Sequence, residues 1–269
     1  MEAGPLDQKS PLGWREPKKG TFSMKYLLTA CAMGLCIATA AAGATTQALD
    51  IEGGWVFPGH NDVRIPGDSG TKLSLTEDLS ADSFPAYRAR YTVTLAGKHD
   101  LGLLAAFLTM RSDGTLDRDV DFNGATFPAG TPLESTFRFN SYRLTYRYLF
   151  YDSPKFQFRA GVSANVRDAA IRLEGGGQES EKTDLGFVPL LSFSATWFAH
   201  PSLRVVLDGD ALAAPQGRAE DVLLAAVAPL NDHVSLKAGY RILEGGADND
   251  RVYTFSLFHY AVLGMVVTF

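Results

Sequence analysis

Cysteine is almost absent from this 269-residue chain, and the two that occur, Cys31 and Cys36, both lie within the first 44 residues. The rest of the chain therefore has neither disulfide bonds nor thiol chemistry. Common enzyme signatures are missing too: there is no G-x-S-x-G, no phosphate-binding loop and no histidine cluster at metal-ligand spacing. These absences predict a protein with no metal ion, no other cofactor and no enzymatic activity.

Long apolar runs are missing after residue 44, although 46% of all residues are hydrophobic. No segment there has the roughly 20 apolar residues that a membrane-crossing helix needs. Basic clusters are missing as well. Residues 1–44 hold five of the 25 Lys and Arg residues and three of the 30 Asp and Glu residues, so the remainder has a net charge of −7. Because phosphate contacts need a basic face, we expect no nucleic-acid partner.

The N-terminal residues carry the pattern of an export signal. Residues 24–44 consist of a basic start, an apolar stretch and an Ala-Gly-Ala cleavage site. We expect a signal peptide that is cleaved after Ala44. Residues 1–23 contain three prolines, mixed charges and no apolar periodicity. We expect them to be an N-terminal extension that results from a misassigned start, which leaves 45–269 as the mature domain.

The last residues of the chain alternate in character up to the final Phe269. Counting back from it, one face is mostly apolar, with Met265, Leu263 and Leu257, whereas the other is smaller and more polar. This period of two predicts a strand that runs to the end of the chain. An alternating last strand with a terminal aromatic residue resembles the C-terminal signature of Gram-negative outer-membrane β-barrel proteins. The resemblance implies an outer-membrane location, a closed barrel, and Phe269 as the signal that the barrel assembly machinery reads.

Ten alternating segments follow one another in the mature domain. They occupy residues 47–57, 85–96, 100–111, 136–151, 155–174, 184–198, 203–214, 219–230, 233–244 and 252–269. Short turns alternate with longer, more polar connections, as in up-and-down antiparallel barrels. The predicted fold class is therefore all-β, a closed antiparallel transmembrane barrel of about ten strands. The connection 215–218 is short for an outer loop, so eight strands stay open as an alternative.

Most of these segments have one apolar and one charged face. In a membrane barrel the apolar face contacts lipid and the charged face lines the lumen. The predicted lumen-lining residues are Arg88, Arg90, Arg143, Arg147, Arg159, Arg167, Arg204, Asp208, Asp210, Lys237 and Arg241, together with Asp50 and Glu52. Aromatic residues near strand ends are expected to form girdles at the membrane surfaces. They are Trp55, Phe57, Phe137, Phe139, Phe150, Tyr151, Phe156, Phe158, Trp197 and Phe269.

The inward charges leave two functions open. In a lumen of eight to ten strands they must pair with one another or stay hydrated. Paired charges predict a filled barrel with a structural or surface-interaction role through the loops 58–84 and 112–135. Hydrated charges, with bases in excess, predict a narrow pore that favours anions. In either case we expect a monomer surrounded by outer-membrane lipid and lipopolysaccharide.

Three further patterns bear on other functions. Within the loop 117–124, residues 119–124 match the opening of a calcium-binding loop, but the twelfth position is Gly130 instead of the usual Glu. Asp119 and Asp121 resemble the acid pair of omptin-like proteases, but the facing loop lacks an Asp-His couple. His200-Pro201-Ser202 has the His-x-Ser spacing of lipid A deacylases, but it lies in a predicted turn. A polar loop and an ordinary turn are therefore favoured, and an outer-membrane protease or lipid hydrolase is the third alternative.

Overall fold

The structure, a computed structural model, describes residues 45–214 and 217–269. The predicted N-terminal extension and signal peptide, residues 1–44, lie outside the described residues. The described residues contain no helix that is long and apolar enough to cross a membrane.

Ten long strand segments, which we call staves, form the wall of a barrel. They are β1 (Thr45–Arg64), β4 (Phe84–Leu95), β5 (His99–Phe107) continued by β6 (Thr109–Thr115), β9 (Pro132–Asp152), β10 (Phe156–Gly175), β11 (Gln178–His200), β12 (Leu203–Ala214), β13 (Gly217–Pro229), β14 (Val234–Asn249) and β15 (Val252–Thr268). Four short strands lie in the connections: β2 (Leu73–Ser74), β3 (Ser80–Ala81), β7 (Val120–Phe122) and β8 (Ala125–Phe127).

Each stave pairs antiparallel with the next one along the chain. The last stave, β15, pairs with β1 over nearly the whole length of both strands. This pairing closes the sheet and confirms the predicted closed antiparallel up-and-down barrel. β12 and β13 pair from Arg204↔Val227 to Ala214↔Gly217, so both are full staves. The barrel therefore has ten strands, and the eight-stranded alternative is wrong.

Several staves are longer than the sequence pattern predicted. β1, β9 and β11 have 20, 21 and 23 residues, about twice the 9–11 residues that a tilted strand needs to cross a bilayer. The additional residues extend one end of the barrel, where the connections 65–83 and 116–131 also lie. We call this the cap end. The opposite end, which carries both termini of the described domain and the short turns 96–98, 153–155, 201–202 and 230–233, is the turn end.

The outer face of the barrel is apolar from the turn end to about mid-length. Among the described residues, 28 large hydrophobic side chains are exposed, and each of the ten staves contributes at least one of them. We call this surface the apolar belt; one member from each stave is Ile51, Tyr87, Leu103, Leu144, Val162, Leu191, Leu207, Leu224, Leu236 and Leu263. Leu144 is 57% exposed and the next residue, Thr145, is 6% exposed, so Leu144 lies on the outer face of β9 and Thr145 on the inner face, as predicted.

Closer to the cap end, the outer face becomes polar. The change follows Tyr142 on β9 and Val166 on β10. The polar outward residues beyond it are Asn140, Arg138, Thr136 and Glu134 on β9, and Asp168, Arg172 and Glu174 on β10. The outer face changes from apolar to polar at the same height on β9 and on β10, because Asn140 and Asp168 are paired neighbours.

The inner face changes in the opposite sense at this height. Inward residues run from Arg147, Thr145 and Arg143 to Phe139, Phe137 and Leu133 on β9, and from Ser163 and Asn165 to Ala169, Ile171 and Leu173 on β10. β9 and β10 thus divide into a belt region, apolar outside and mostly polar inside, and a cap region, mostly polar outside and mostly apolar inside, and we use these names for the barrel at the two heights. Phe137 and Phe139 belong to the interior of the cap region, so their predicted place in a membrane girdle is wrong.

The connections 65–83 and 116–131, which we call the cap, fold onto the inner wall of the cap region. Their buried apolar side chains are Ile65, Leu73, Leu75, Leu79, Leu116, Val120, Phe122 and Phe127, and they form one core with wall residues such as Phe137, Leu173 and Phe258. The β7–β8 hairpin turns at Asn123-Gly124, both at positive φ, as Asn-Gly hairpins do. Asn123 donates to the carbonyl of Glu181 at 2.9 Å and so attaches the hairpin to β11. The predicted polar loops 58–84 and 112–135 are therefore partly strand and partly a folded cap.

Candidate functional site

Eleven charged side chains meet in the lumen of the belt region. We call them the ion-pair network: the bases Arg88, Arg90, Arg143, Arg147, Lys237 and Arg241, and the acids Asp50, Glu52, Asp208, Asp210 and Asp221. They project from β1, β4, β9, β12, β13 and β14, since each is an inward position of an alternating stave. Six bases face five acids, so several carboxylates serve more than one base.

Asp221 on β13 is the centre of the network. Its carboxylate accepts from Arg88 Nη2 at 2.8 Å and from Arg241 Nη1 at 2.6 Å, and it pairs with Arg143 Nη1 at 2.8 Å. The residue is only 2% exposed. An ionised carboxylate at such a depth is tolerated only because several cations surround it.

A second group of contacts lies beside β1. Arg241 Nη2 donates to Glu52 Oε2 at 2.8 Å, and Lys237 Nζ donates to Glu52 Oε1 at 2.7 Å and to Asp50 Oδ1 at 2.6 Å. Arg241 thus links Glu52 to Asp221. Charge-assisted hydrogen bonds of this kind are stronger than neutral ones, which favours one fixed arrangement.

Asp210 on β12 joins the network to its polar neighbours. It accepts from Arg143 Nη1 and from Ser163 Oγ, both at 2.8 Å, and from the hydroxyl of Ser192. Arg143 therefore bridges Asp210 and Asp221. The hydroxyls fill acceptor positions that the bases leave open.

The network crosses the full width of the lumen. Arg90 Nη1 on β4 donates to Asp208 Oδ1 on β12 at 2.9 Å, and Arg147 on β9 pairs with the same carboxylate. β4 and β12 are five staves apart in a ten-stave ring, so this bond spans a diameter. Side chains, and not the wall alone, occupy the centre of the barrel.

Ten of the thirteen predicted lumen-lining residues take part in the network. The other three lie elsewhere. Arg159 pairs with Asp100 at 3.0 Å near the turn end, and Arg204 donates to Ser235 Oγ at 2.9 Å on the same side. Arg167 lies nearer the cap end, where it pairs with Asp184.

Sequence reasoning missed Asp221, the centre of the network. The inward residues that follow it on β13, Leu223, Ala225 and Val227, are all buried and apolar. The other inward faces were identified because they are charged while the outward face of the same strand is apolar, and β13 lacks this contrast. A usable signal was the isolated acid at the start of an apolar strand, which needs a cation from another strand.

A chamber of about 330 Å³ lies between the network and the cap end. Its floor is made by Arg143, Asn165, Asp210 and Asp221, its wall by Phe137, Phe139, Ala169, Ile171, Leu190, Leu243, Val252 and Phe258, and its rim by Arg167, Lys182, Asp184, Arg218, Glu244 and Arg251. On the rim, Arg167 pairs with Asp184 and Arg218 pairs with Glu244. The chamber is therefore a blind recess with apolar walls, a polar floor and a charged rim.

The other candidate residues are held in local structure. Asp119 Oδ1 accepts from the backbone N of Ala129 at 2.8 Å, and Asp121 Oδ1 accepts from Thr126 Oγ1 at 2.6 Å. Among the residues that the structure describes, no three His, Cys, Asp or Glu side chains converge as a metal site. His200 Nδ1 accepts from the backbone N of Ser202 at 3.2 Å within a turn.

Comparison with known proteins finds similar structures but no family. No protein-family model and no curated protein matches the chain. Ail, the attachment invasion locus protein of Yersinia pestis, solved with the heparin analogue sucrose octasulfate, is 12% identical, with a TM-score of 0.36 over 83% of this chain and 99% of that chain. An outer membrane channel from Pseudomonas putida F1 is 10% identical, with a TM-score of 0.40 over 86% and 98%. The toluene transporter TodX of P. putida is 10% identical, with a TM-score of 0.34 over 87% and 92%. These values define no shared activity.

Proposed function

We propose that the protein is an outer-membrane barrel with a structural or surface-interaction role and a lumen that the ion-pair network closes. The apolar belt supports the membrane location. Soluble monomers rarely expose an apolar patch of more than a few hundred Å². In the described part of this chain, 28 large hydrophobic side chains are exposed in total, and every stave contributes to them. About ten residues of a tilted strand cover the roughly 25 Å apolar band of such barrels. On β9 the belt region runs over residues 142–151, which agrees with this length.

The orientation of the barrel follows from its even number of strands. Both ends of the described domain lie at the turn end, which we place in the periplasm, and the cap then faces the cell exterior. Arg138 and Arg172 project outward just beyond the apolar belt, at the height expected for lipopolysaccharide headgroups. The proposal includes no enzymatic step, because Asp119, Asp121 and His200 are engaged in the turns described above.

The hydrogen bond between Arg90 and Asp208, which spans the diameter of the barrel, is the main observation in favour of a closed lumen. Planar-bilayer recording tests it. The wild-type protein should show only background conductance. Arg143→Ala should raise the conductance, because it removes the side chain that bridges Asp210 and Asp221. Arg138→Ala, on the outer face of the same stave, is the matched control and should stay at background.

The rival function, a narrow anion pore, predicts the opposite sign. The network has one more base than acid, which would favour anions if water filled the lumen. Steady anion-selective channels in the wild type that weaken in Arg143→Ala would overturn the closed lumen and establish the pore.

Phe269 is the proposed assembly signal. Its backbone N donates to the carbonyl of Gln47 at 2.8 Å, and its ring is exposed at the turn end. Deletion of Phe269 should strongly reduce the heat-modifiable, folded band of the outer-membrane fraction. Phe269→Tyr, which keeps a terminal aromatic ring, serves as the control and should leave that band intact. Normal folded yield without Phe269 would contradict the proposed signal.

A further inference from the structure

We propose that the chamber is a binding site for a small neutral molecule with an apolar aromatic or aliphatic body and one hydroxyl that donates a hydrogen bond to Asn165. The floor of the chamber includes Arg143, Asp210 and Asp221 of the ion-pair network, so this inference rests on the closed lumen of the proposed function. Conductance and binding are measured separately, so the failure of one can be told from the failure of the other.

Asn165 is the first reason. It lies on the floor of the chamber and is 4% exposed, yet its side-chain oxygen has no hydrogen-bond partner among the residues that the structure describes. A buried acceptor without a donor costs about 1–3 kcal/mol, so such atoms in native proteins need an explanation. Arg143 and Asp210, also on the floor, are bound to each other at 2.8 Å, although Arg143 Nε likewise has no partner among the described residues. Asn165 is thus a buried polar group that a ligand entering the chamber can satisfy.

The walls are the second reason. Phe139, Leu243 and Val252 are only partly buried although they pack against the apolar core, so they present apolar surface to the chamber. Removing such surface from water stabilises a bound apolar molecule by roughly 25 cal/mol per Å². The volume of about 330 Å³ is at the lower end of the 300–1,000 Å³ that small-molecule sites occupy.

The charge of the floor favours a neutral ligand. Arg143 Nη1 lies 2.8 Å from a carboxylate oxygen of Asp210 and 2.8 Å from one of Asp221, so its charge is already compensated. An anion at this depth would compete with those carboxylates and would lose its hydration. A hydroxyl loses much less hydration and supplies the hydrogen that the Asn165 oxygen lacks.

Calorimetric titration of the full protein in nanodiscs tests the site. The probe is 4-propylphenol, and 4-propylanisole is its partner of nearly equal size without the donor. Empty nanodiscs of the same lipid correct for partitioning. We expect saturable binding of 4-propylphenol with one site per barrel, and binding of 4-propylanisole about tenfold weaker, the effect of one buried hydrogen bond.

Three variants locate the binding. Asn165→Leu should weaken 4-propylphenol about tenfold and leave 4-propylanisole unchanged. Ala169→Phe, which fills the chamber, should remove binding of both. Ala160→Phe, the same substitution on the lipid face of the same stave, is the control and should change neither. Heat-modifiable migration reports whether each variant is folded.

Two results would overturn the proposal. One is the absence of saturable binding beyond that of empty nanodiscs, and the other is unchanged binding in folded Ala169→Phe. Equal affinities for the two probes, together with no effect of Asn165→Leu, would remove the hydroxyl from the proposal and thereby reject the ligand class.

Discussion

The belt region and the cap region are built from the same staves, yet their polarity is inverted. In the belt region, Leu144 and Val162 lie on the outer face of the barrel wall, and Arg143 and Asp210 lie on its inner face. In the cap region Asp168 is outside and Ile171 is inside. The inversion lies at one height on neighbouring staves, which is expected if the surrounding medium changes there from lipid to water.

The comparison teaches that the two regions are held together by different forces. In the cap region, apolar side chains of the wall and the cap leave water, so the hydrophobic effect stabilises the core. In the proposed outer-membrane location the outer apolar surface of the belt region faces lipid, and the interior is joined by ion pairs instead. Such pairs contribute little net stability against an apolar alternative, but loss of one partner is costly. The two regions should therefore respond differently to substitution.

The largest expected effect comes from Asp221→Ala in the belt region. It leaves Arg88, Arg143 and Arg241 without their shared carboxylate, which should lower the free energy of unfolding by about 3–5 kcal/mol. Urea unfolding in lipid vesicles, followed by tryptophan fluorescence, measures this change. Asp168→Ala is the matched control, because its pair with Arg138 lies on the partly exposed outer face and should be worth at most about 1 kcal/mol. Equal losses for the two variants would contradict the difference between the regions.

A smaller effect is expected when a charge is placed on the outer face of either region. Leu144→Arg puts a cation into the apolar belt and should destabilise the folded protein by about 2–4 kcal/mol. Glu134→Arg, ten residues away on the same face of β9, lies in the cap region beside Glu174 and Asp113 and should change stability by less than about 0.5 kcal/mol.

Spin labels at the same two positions locate the boundary between the regions. A label at 144 should be accessible to oxygen dissolved in lipid, and a label at 134 should be accessible to a water-soluble nickel reagent. A label at 145 points into the lumen and serves as the internal reference. Water-type accessibility at 144 would reverse the faces of β9 and contradict the membrane assignment.

The sequence predicts the belt region well, because lipid outside and charge inside give strong alternation. From Ser141 to Phe150 on β9 the assignment needs only the period of two. Beyond Ser141 the period continues but its meaning changes. Phe137 and Phe139 share the phase of Arg143, which places them inside, whereas their position near a strand end suggested a girdle. Phase along the strand is therefore a better guide than aromatic character once a strand leaves the membrane.

The cap and the chamber were beyond sequence reasoning for a different reason. Val120, Phe122 and Phe127 are scattered among polar and turn-forming residues, and their burial depends on wall residues far away in the chain. Asn165 looked like one more lumenal polar residue, and only the structure shows that it lies on the chamber floor with a side-chain oxygen that has no partner among the described residues. Such properties arise from contacts across the barrel, and local periodicity does not report them.

The smallest expected effect separates the stability of the cap from that of the belt region. Val120 is 1% exposed in the cap core, and Val120→Ala removes two methyl groups there, which should cost about 2 kcal/mol. Because the ion-pair network is untouched, this loss should appear as faster hydrogen exchange and easier proteolysis of residues 116–131, with unchanged heat-modifiable migration. Val206→Ala, on β12, is the control for the belt region and should leave cap exchange unchanged. If Val120→Ala instead lowered the stability of the whole barrel, the two regions would be one cooperative unit, and the inversion of polarity would mark a change of medium without a change in what holds the fold together.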